Sequence, residues 1–334
     1  MKTLFLYIID DKGAPILAGL SAVEWLKRGA GDLPYKVIRE GENLEKPQSD
    51  YFAVLTAATP LLTAGDLKNL VCEMEKRGYD GLEIGRGMLV KTAAYREGNT
   101  PKRRANIPAA AVVKTPAEAL RAEKILYRRI AELSAQNGAI IPDVDAVKID
   151  ALSCVEAGAT VLPFSIVSGS VVEAGAVIGS FSEVVDSRIG KGAKITHSVV
   201  SGSSVGEGAT VGPFAYIRMQ SAVGDGCRIG DFVEIKRSRL GQKVKAAHLA
   251  YIGDAAVGEQ TNVGCGAVFA NYDGREKHAT QVGKQVFIGA NVNLVAPVTV
   301  GDGAYIAAAT TVTKDVGNGA FVIGRSRAEQ KQKK

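Results

Sequence analysis

From Val205 to Ile235 an aliphatic residue stands at every sixth position: Val205, Val211, Ile217, Val223, Ile229 and Ile235. Four of these six are followed directly by glycine. The phase restarts at Leu240, Ala246 and Ile252, again at Val257, Val263 and Phe269, and resumes through Val282, Ile288, Leu294, Val300, Ile306 and Val312. Upstream it is more ragged, through Val155, Val161, Val172, Ile178, Val184, Ile189 and Ile195. A helix repeats every 3.6 residues and a strand every 2. A six-residue period sustained over roughly a hundred residues instead predicts a parallel β-helix, each hexad forming one flat side. Three sides close a triangular coil of about eighteen residues, so residues 150 to 315 are expected to hold roughly nine coils. The aliphatic residue points inward and stacks on its counterpart one coil below, while glycine and other small residues allow the corners. Insertions are expected near Leu240 and between Phe269 and Val282, and loops leaving a solenoid commonly carry its binding residues.

The first hundred residues follow other periods. Leu4 to Ile9 and Tyr51 to Thr56 read as apolar strands, and Leu67, Leu70, Val71 and Met74 give Ala64 to Arg77 helical spacing with Gly78 as its stop. Residues 97 to 110 read as a linker. Thr115 with Glu118 forms a capping box and Pro116 takes the first helical position. The predicted stripe of this helix is Leu120, Ile125, Leu126, Ile130 and Leu133, ended by Asn137-Gly138. The expected organisation is therefore a small α/β region over 1–110, a linker helix within 111–140, the β-helix over 141–316 and a basic tail over 317–334.

Composition narrows the class. The 334 residues are 46% hydrophobic and 23% charged, ordinary for a globular chain. No apolar stretch approaches the roughly 20 residues that span a bilayer. The run after Met1 meets Asp10-Asp11-Lys12 with no small-residue cleavage site, so it reads as a buried first strand rather than a signal peptide. Cys72, Cys154, Cys227 and Cys265 are far apart and lack metal-ligand spacing, which fits reduced thiols in a cytoplasmic protein. Much of the net charge of +6 sits in Lys102-Arg103-Arg104 and in the tail from Arg325 to Lys334. With 6% aromatic residues and no stacking platform expected on a repeat coil, a small anionic ligand accounts for these charges better than nucleic acid.

Of three histidines, His197 lies in the polar stretch Ile195-Thr196-His197-Ser198 and reads as solvated. His248 lies on the coil after the first phase slip. A histidine on a solenoid is more often structural, but Lys236, Tyr251, Asn262, Asn271, Tyr272 and Lys277 all fall within about two coils of this one. Position arithmetic puts Lys236, Asn271 and His248 in one corner zone. An imidazole base flanked by cations and amides suits deprotonating an amine while holding an anionic substrate.

These residues carry a resemblance. Gly-Asp-Phe-Val-Glu-Ile-Lys (230–236), His-Leu-Ala-Tyr-Ile-Gly-Asp (248–254), Asn-Tyr-Asp-Gly (271–274) and Leu-Val-Ala-Pro-Val-Thr-Val-Gly-Asp-Gly-Ala (294–304) resemble, in order and spacing, motifs of the GlmU family. Its members are bifunctional enzymes that make UDP-N-acetylglucosamine, a peptidoglycan precursor. The resemblance covers the acetyltransferase half, Val205 to Val316. It implies a trimer of left-handed parallel β-helices with active sites shared between neighbouring subunits. It further implies His248 as general base, Arg218, Lys236 and Tyr251 gripping the sugar phosphate, and Asn262, Asn271 and Lys277 lining the sugar and amine. Tyr272, Cys265, Ala290, Ala308 and Arg325 fall at positions that meet acetyl-CoA, Arg325 facing its phosphates. No metal is expected for acetyl transfer.

The chain also departs from that pattern. Met219 follows Arg218 where proline is usual, Ala290 replaces a serine, Cys265 a small residue and Ala309 a glycine. Pro15 to Trp25 and Val54 to Leu62 faintly resemble the family's sugar-nucleotidyltransferase domain, at about half its length. No glycine-rich phosphate loop follows the first strand, and Ala57-Ala58 occupies the place of Gly-Asp. Asp10-Asp11 reads either as replacement metal ligands or as a strand-end turn. The expectation is a reduced remnant without uridyltransferase activity and with a structural role, covering the coil end or a face of the trimer. The linker helix resembles the family's connecting helix, with Arg128-Arg129 as a solvated face, and the last four residues read as a disordered basic end.

The leading expectation is thus an acetyl-CoA-dependent N-acetyltransferase converting glucosamine 1-phosphate to N-acetylglucosamine 1-phosphate. The alternatives are transfer to another amino sugar or sugar nucleotide, a non-catalytic trimeric scaffold and, weakest, a uridyltransferase.

Overall fold

A computed structural model describes residues 2–10, 15–45 and 47–332 of the chain. It divides into two compact units, Met1–Tyr127 and Arg128–Lys334. Asp11 of the Asp10-Asp11 pair, and Lys333 and Lys334 of the basic end, lie outside the described residues.

The first unit contains β1 (Leu4–Asp10), the short hairpin of β2 (Ile16–Leu17) and β3 (Leu20–Ser21), α1 (Ala22–Ala30), β4 (Tyr35–Arg39) and β5 (Tyr51–Thr56). It continues with α2 (Ala64–Arg77), β6 (Gly81–Ile84), β7 (Gly87–Lys91) and α3 (Thr92–Arg96). The sheet order is β4-β1-β5-β7-β6; β4, β1 and β5 run parallel, and β7 and β6 are antiparallel additions. β1 and β5 are apolar on both faces, as parallel strands covered by helices must be. The helix over 64–77 forms as its spacing predicts: Leu67, Leu70, Val71 and Met74 are buried, a Thr63–Asp66 capping box starts it and left-handed Gly78 ends it.

The long helix α4 (Pro116–Gln136) has its predicted cap. Glu118 Oε2 accepts from the Thr115 backbone N–H at 2.9 Å, and Thr115 Oγ1 accepts from the Glu118 N–H at 3.3 Å. Its stripe differs from expectation. Leu126 is buried together with the small residues Ala122 and Ala131, whereas Leu120, Ile125 and Leu133 are exposed. Small side chains form the buried ridge, and a count of large apolar residues overlooks them.

The second unit is the expected parallel β-helix. One side is a nine-stranded sheet from Cys154–Val155 to Val298–Val300, and the other two sides join in an eighteen-stranded sheet. Val155 pairs with Val172, Ile189 with Val205 and Val223 with Leu240, so each inward column is a stack of aliphatic side chains. All of them are buried in one continuous core. Pairing runs on to Phe321–Val322, past the expected coil boundary at Val316.

The coil step corrects one expectation. Neighbouring coils are commonly 17 residues apart, as for Asp231 and His248, because one corner closes on a serine with a residue fewer than the hexad count. The slip near Leu240 is this short corner, not an insertion. Ser238 Oγ donates to Lys236 O at 2.9 Å and accepts from Ala255 N–H at 3.0 Å, and Ser170, Ser187 and Ser203 do the same for their coils, whereas Ser221 sits in a full six-residue corner and donates to Arg218 O at 2.7 Å. Each hydroxyl supplies the partner that a sharply turned backbone would otherwise lack. The insertion after Phe269 is real: there the step rises to 25 residues, as between Thr261 and Val286.

The coil does carry stacked aromatics, contrary to expectation. Phe164, Phe181, His197, Phe214 and Phe232 recur once per coil in the left-handed conformation at one corner. Their rings are 5.2–6.0 Å apart centroid to centroid. His197 is exposed, as expected, but lies between two phenylalanines rather than in a polar patch. A recurrence once per coil is too sparse to stand out in the sequence. Phe164 stacks on Phe181 and Phe214 on Phe232, with 13° and 12° between planes, whereas His197 is tilted against its two neighbours by 38° and 60°.

Candidate active site

The strands Arg228–Lys236 and Lys245–Gly253 are nine residues each and stay in parallel register on both sides of a corner. This long parallel ladder is the rigid frame of the site. Asp231 pairs with His248, Glu234 with Tyr251 and Lys236 with Gly253. The His248 ring Nδ1 lies 2.7 Å from Asp231 Oδ1, with the imidazole 58% and the carboxylate 39% exposed. That hydrogen bond is the main cause holding the Asp231 carboxyl below its ordinary range.

Directly along the coil axis from His248 stand Cys265, Ala290 and Ala308. Each lies two positions after an inward residue, and these inward residues pair in register: Ala246 with Val263, Val263 with Ile288, Ile288 with Ile306. At about 4.8 Å per coil, the three small side chains reach about 5, 10 and 14 Å beyond His248. Beside them Gly264, Gly289 and Ala307 keep the surface low. A Cβ on Gly289 would stand 2.5 Å from Ala308 N, so the coils stack this closely only with glycine there. Phe287, Tyr305 and Phe321 line the far edge, stacked at 4.6 and 5.4 Å. Asn262 pairs with Phe287 and so belongs to this face.

The cations occupy the opposite end of the next side. Arg218 pairs in register with Lys236, which is buried to 6% exposure. Arg218 Nε and Nη2 both donate to Glu234 Oε1, at 2.8 and 2.6 Å. Its guanidinium also lies 5.3 Å from the Tyr216 ring centroid. The neighbouring Lys277 ammonium, helped by burial, holds Lys236 below the usual lysine range, and Asp254 opposes this. The Tyr251 hydroxyl leans over Gly253, where a Cβ would come within 2.5 Å of it.

Asn271 is buried and its Nδ2 donates to Asp254 Oδ2 in a short contact, while Arg237 Nε donates to Asp254 Oδ1 at 2.7 Å. Burial alone would raise the Asp254 pKa, but Arg237 and Asn271 outweigh it and hold the carboxyl low. The inserted loop is closed by a Tyr272–Lys277 bridge and by the Asp273–His278 contact at 2.8 Å.

The structure therefore divides the expected site residues. Lys236, Arg218, Tyr251, Asn271, Tyr272 and Lys277 gather at one end, and His248, Cys265, Ala290, Ala308 and Asn262 at the other. His248 does not share a corner zone with Lys236 and Asn271. Lys236 and Asn271 sit where their side ends, whereas His248 sits where that side begins, about 13 Å away for four extended residues. Tyr272 stands with the cations, apart from the small-residue column. Arg325 is exposed just beyond the last strand, its chain tethered by the Gly324 N–H to Thr310 Oγ1 at 3.1 Å. Met219 has φ +58°, a conformation closed to proline, which accounts for that departure.

Asp231, Glu234, Arg237 and Asp254 were not among the expected site residues. Their signal was the coil step: Asp231 and Asp254 each stand 17 residues before the side chain they hold. Among the described residues no group of three or more metal-ligating side chains occurs, and no helix is long and apolar enough to cross a membrane. Arg128, expected as a solvated residue, is exposed yet paired with Glu132 and Asp145 at 2.8 and 3.1 Å.

Comparison with known proteins agrees with the motif resemblance. Residues 279–314 match the family described as bacterial transferase hexapeptide (six repeats). The chain is 45% identical over 212 residues to the bifunctional protein GlmU of Caldanaerobacter subterraneus subsp. tengcongensis, covering 63% of this chain and 46% of that protein. It is 40% identical over 256 residues to the GlmU of Thermoanaerobacter pseudethanolicus, covering 76% and 54%. The chain thus spans about half the length of the curated relatives it matches. Among solved structures, an Arabidopsis UDP-N-acetylglucosamine acyltransferase aligns at 14% identity and TM-score 0.37 over 54% of this chain and 65% of that one, too slight a likeness to bear on function.

Proposed function

We propose that the β-helix is an acetyl-CoA-dependent N-acetyltransferase that converts glucosamine 1-phosphate to N-acetylglucosamine 1-phosphate. The observation that carries this reading is the half-exposed His248 at the foot of a column of small side chains. A base is needed at the reacting amine, and the pantetheine arm of acetyl-CoA needs a narrow, low, largely apolar track leading to it. Cys265, Ala290 and Ala308 leave that track open, and Arg325 offers a charge for phosphates beyond its end.

In this reading His248 takes the proton from the acceptor ammonium, and the freed amine adds to the thioester carbonyl. Backbone N–H groups at the corner stabilise the oxyanion, and the thiolate leaves. Lys236, Lys277 and Arg218 hold the phosphate through charge-assisted hydrogen bonds. The span between Lys236 and His248 within one chain is what a homotrimer with sites shared between copies accounts for.

The first unit is assigned no uridyltransferase activity, since Ala57 and Ala58 follow β5 as buried alanines and supply no ligand. Formation of pyrophosphate from UTP and N-acetylglucosamine 1-phosphate would overturn that part.

One observation favours a second acceptor class. The Arg218 charge is already met by Glu234, which suits another, unphosphorylated amino sugar. Incubating the protein with acetyl-CoA and a panel of amino sugars, and following thiol release, separates the two. Preference for glucosamine 1-phosphate supports the first reading, and preference for an unphosphorylated acceptor supports the second.

A further inference from the structure

We propose that Asp231 is the positioning residue for His248: it holds the imidazole with the proton on Nδ1 and leaves Nε2 bare to receive the proton of the acceptor amine. This rests on His248 being the base. A carboxylate can only accept a hydrogen bond, so a contact of 2.7 Å to Nδ1 requires the hydrogen there. Nε2 is then the ring nitrogen that carries the lone pair, on an imidazole that is 58% exposed. When Nε2 takes a proton, the imidazolium forms beside an anion already in place, so no side chain has to move to meet the new charge.

The surroundings fix this arrangement. Asp231 and His248 are register partners inside the long parallel ladder, so their Cα positions are set by backbone pairing rather than by a loop. The residue after each, Phe232 and Leu249, is left-handed at the corner. The Phe232 ring stacks on Phe214 at 5.5 Å with 12° between the planes, which pins the chain beside Asp231. On the next coil the same position holds Cys265. Along the strand the nearest charged side chain is Lys245, three positions before His248. Asp231 is the one carboxylate in hydrogen-bond contact with His248 among the described residues.

Two measurements on the full-length protein test the assignment. Nitrogen-15 NMR of histidine-labelled protein, with the His248 signals identified by their loss in His248→Gln, reads which ring nitrogen bears the hydrogen. The Nδ1–H form is expected, and an Nε2–H form in the wild type overturns the proposal, whatever the acceptor and whether or not transfer is detected. Asp231→Asn keeps the shape but offers an amide that binds either tautomer. Its spectrum is expected to lose the single Nδ1–H form, and its kcat to fall by roughly 10- to 100-fold with KM for the acceptor within about twofold. Unchanged kcat in Asp231→Asn, or a loss confined to KM, overturns the assignment. Absence of transfer by the wild type would instead count against the proposed function, while the spectrum still decides the tautomer.

Discussion

Glu234 Oε1 accepts two hydrogen bonds from Arg218, at 2.8 Å from Nε and 2.6 Å from Nη2. A guanidinium held this way keeps Nη1 directed outward, where its contact is the thioether of Met219 at 3.1 Å. If Arg218 grips phosphate, it does so from a preset pose. Arg218→Ala is expected to raise KM for glucosamine 1-phosphate by roughly 10- to 100-fold, the cost of one charge-assisted hydrogen bond, and to leave KM for an unphosphorylated amino sugar unchanged. Steady-state kinetics with both acceptors check this; equal effects on both would remove Arg218 from phosphate binding.

The column of small residues makes a separate claim about the donor. Ala308→Leu adds a branched side chain three coils beyond His248, on the surface and clear of the core. Binding of acetyl-CoA, read by calorimetry, is expected to weaken by about 10-fold or more through lost contact and obstruction. Thermal stability should stay within about 1 kcal/mol of wild type. Unaltered affinity would place the cofactor elsewhere.

Much of the fold was legible because a β-helix repeats its core. Val205 to Val312 announce the inward columns, and Leu67 to Met74 announce one helix. The residues proposed for the site, His248, Lys236 and Asn271, stand out in the sequence, but how they are held does not. Asp231 and Asp254 touch their partners one coil away, at a separation where neither strand nor helix brings residues together. A count in strict hexads also misses that step by one residue. The same miscount placed His248 at the wrong corner. The phenylalanine column escaped for a related reason, since one ring per coil leaves no mark on a short window of sequence.

The serine corners explain the shorter step and have a measurable energy. Ser238→Ala leaves the buried Ala255 N–H without its acceptor at 3.0 Å. A loss of about 1–3 kcal/mol is expected from denaturant unfolding. A loss below the error of that measurement would mean the backbone finds another partner.

Asp150, buried in the first coil, gives the pH dependence. Burial pushes its carboxyl up, but Ser153 and Ser168 hydroxyls at 2.7 and 2.6 Å and the Gly169 and Leu152 N–H groups at 3.1 Å outweigh this and hold it below the ordinary range. A folded value below the unfolded value of about 3.9 means that its stabilisation is complete above about pH 4 and disappears as pH falls through the folded value. Asp150→Ala is expected to cost about 2–3 kcal/mol at pH 7. The difference from wild type should shrink steadily below pH 4. A difference independent of pH would show that the ionised form is not what stabilises the coil.

In the proposed reaction His248 moves a proton from an acceptor amine while the coil holds acetyl-CoA beside it. The most direct measurement is the rate of thiol release from acetyl-CoA with glucosamine 1-phosphate, compared between wild type and His248→Ala at matched folding by circular dichroism. Transfer by the wild type is expected, with a kcat lower by about 10²–10⁴-fold in the variant. A folded His248→Ala protein that transfers acetyl groups at the wild-type rate would contradict this role of His248.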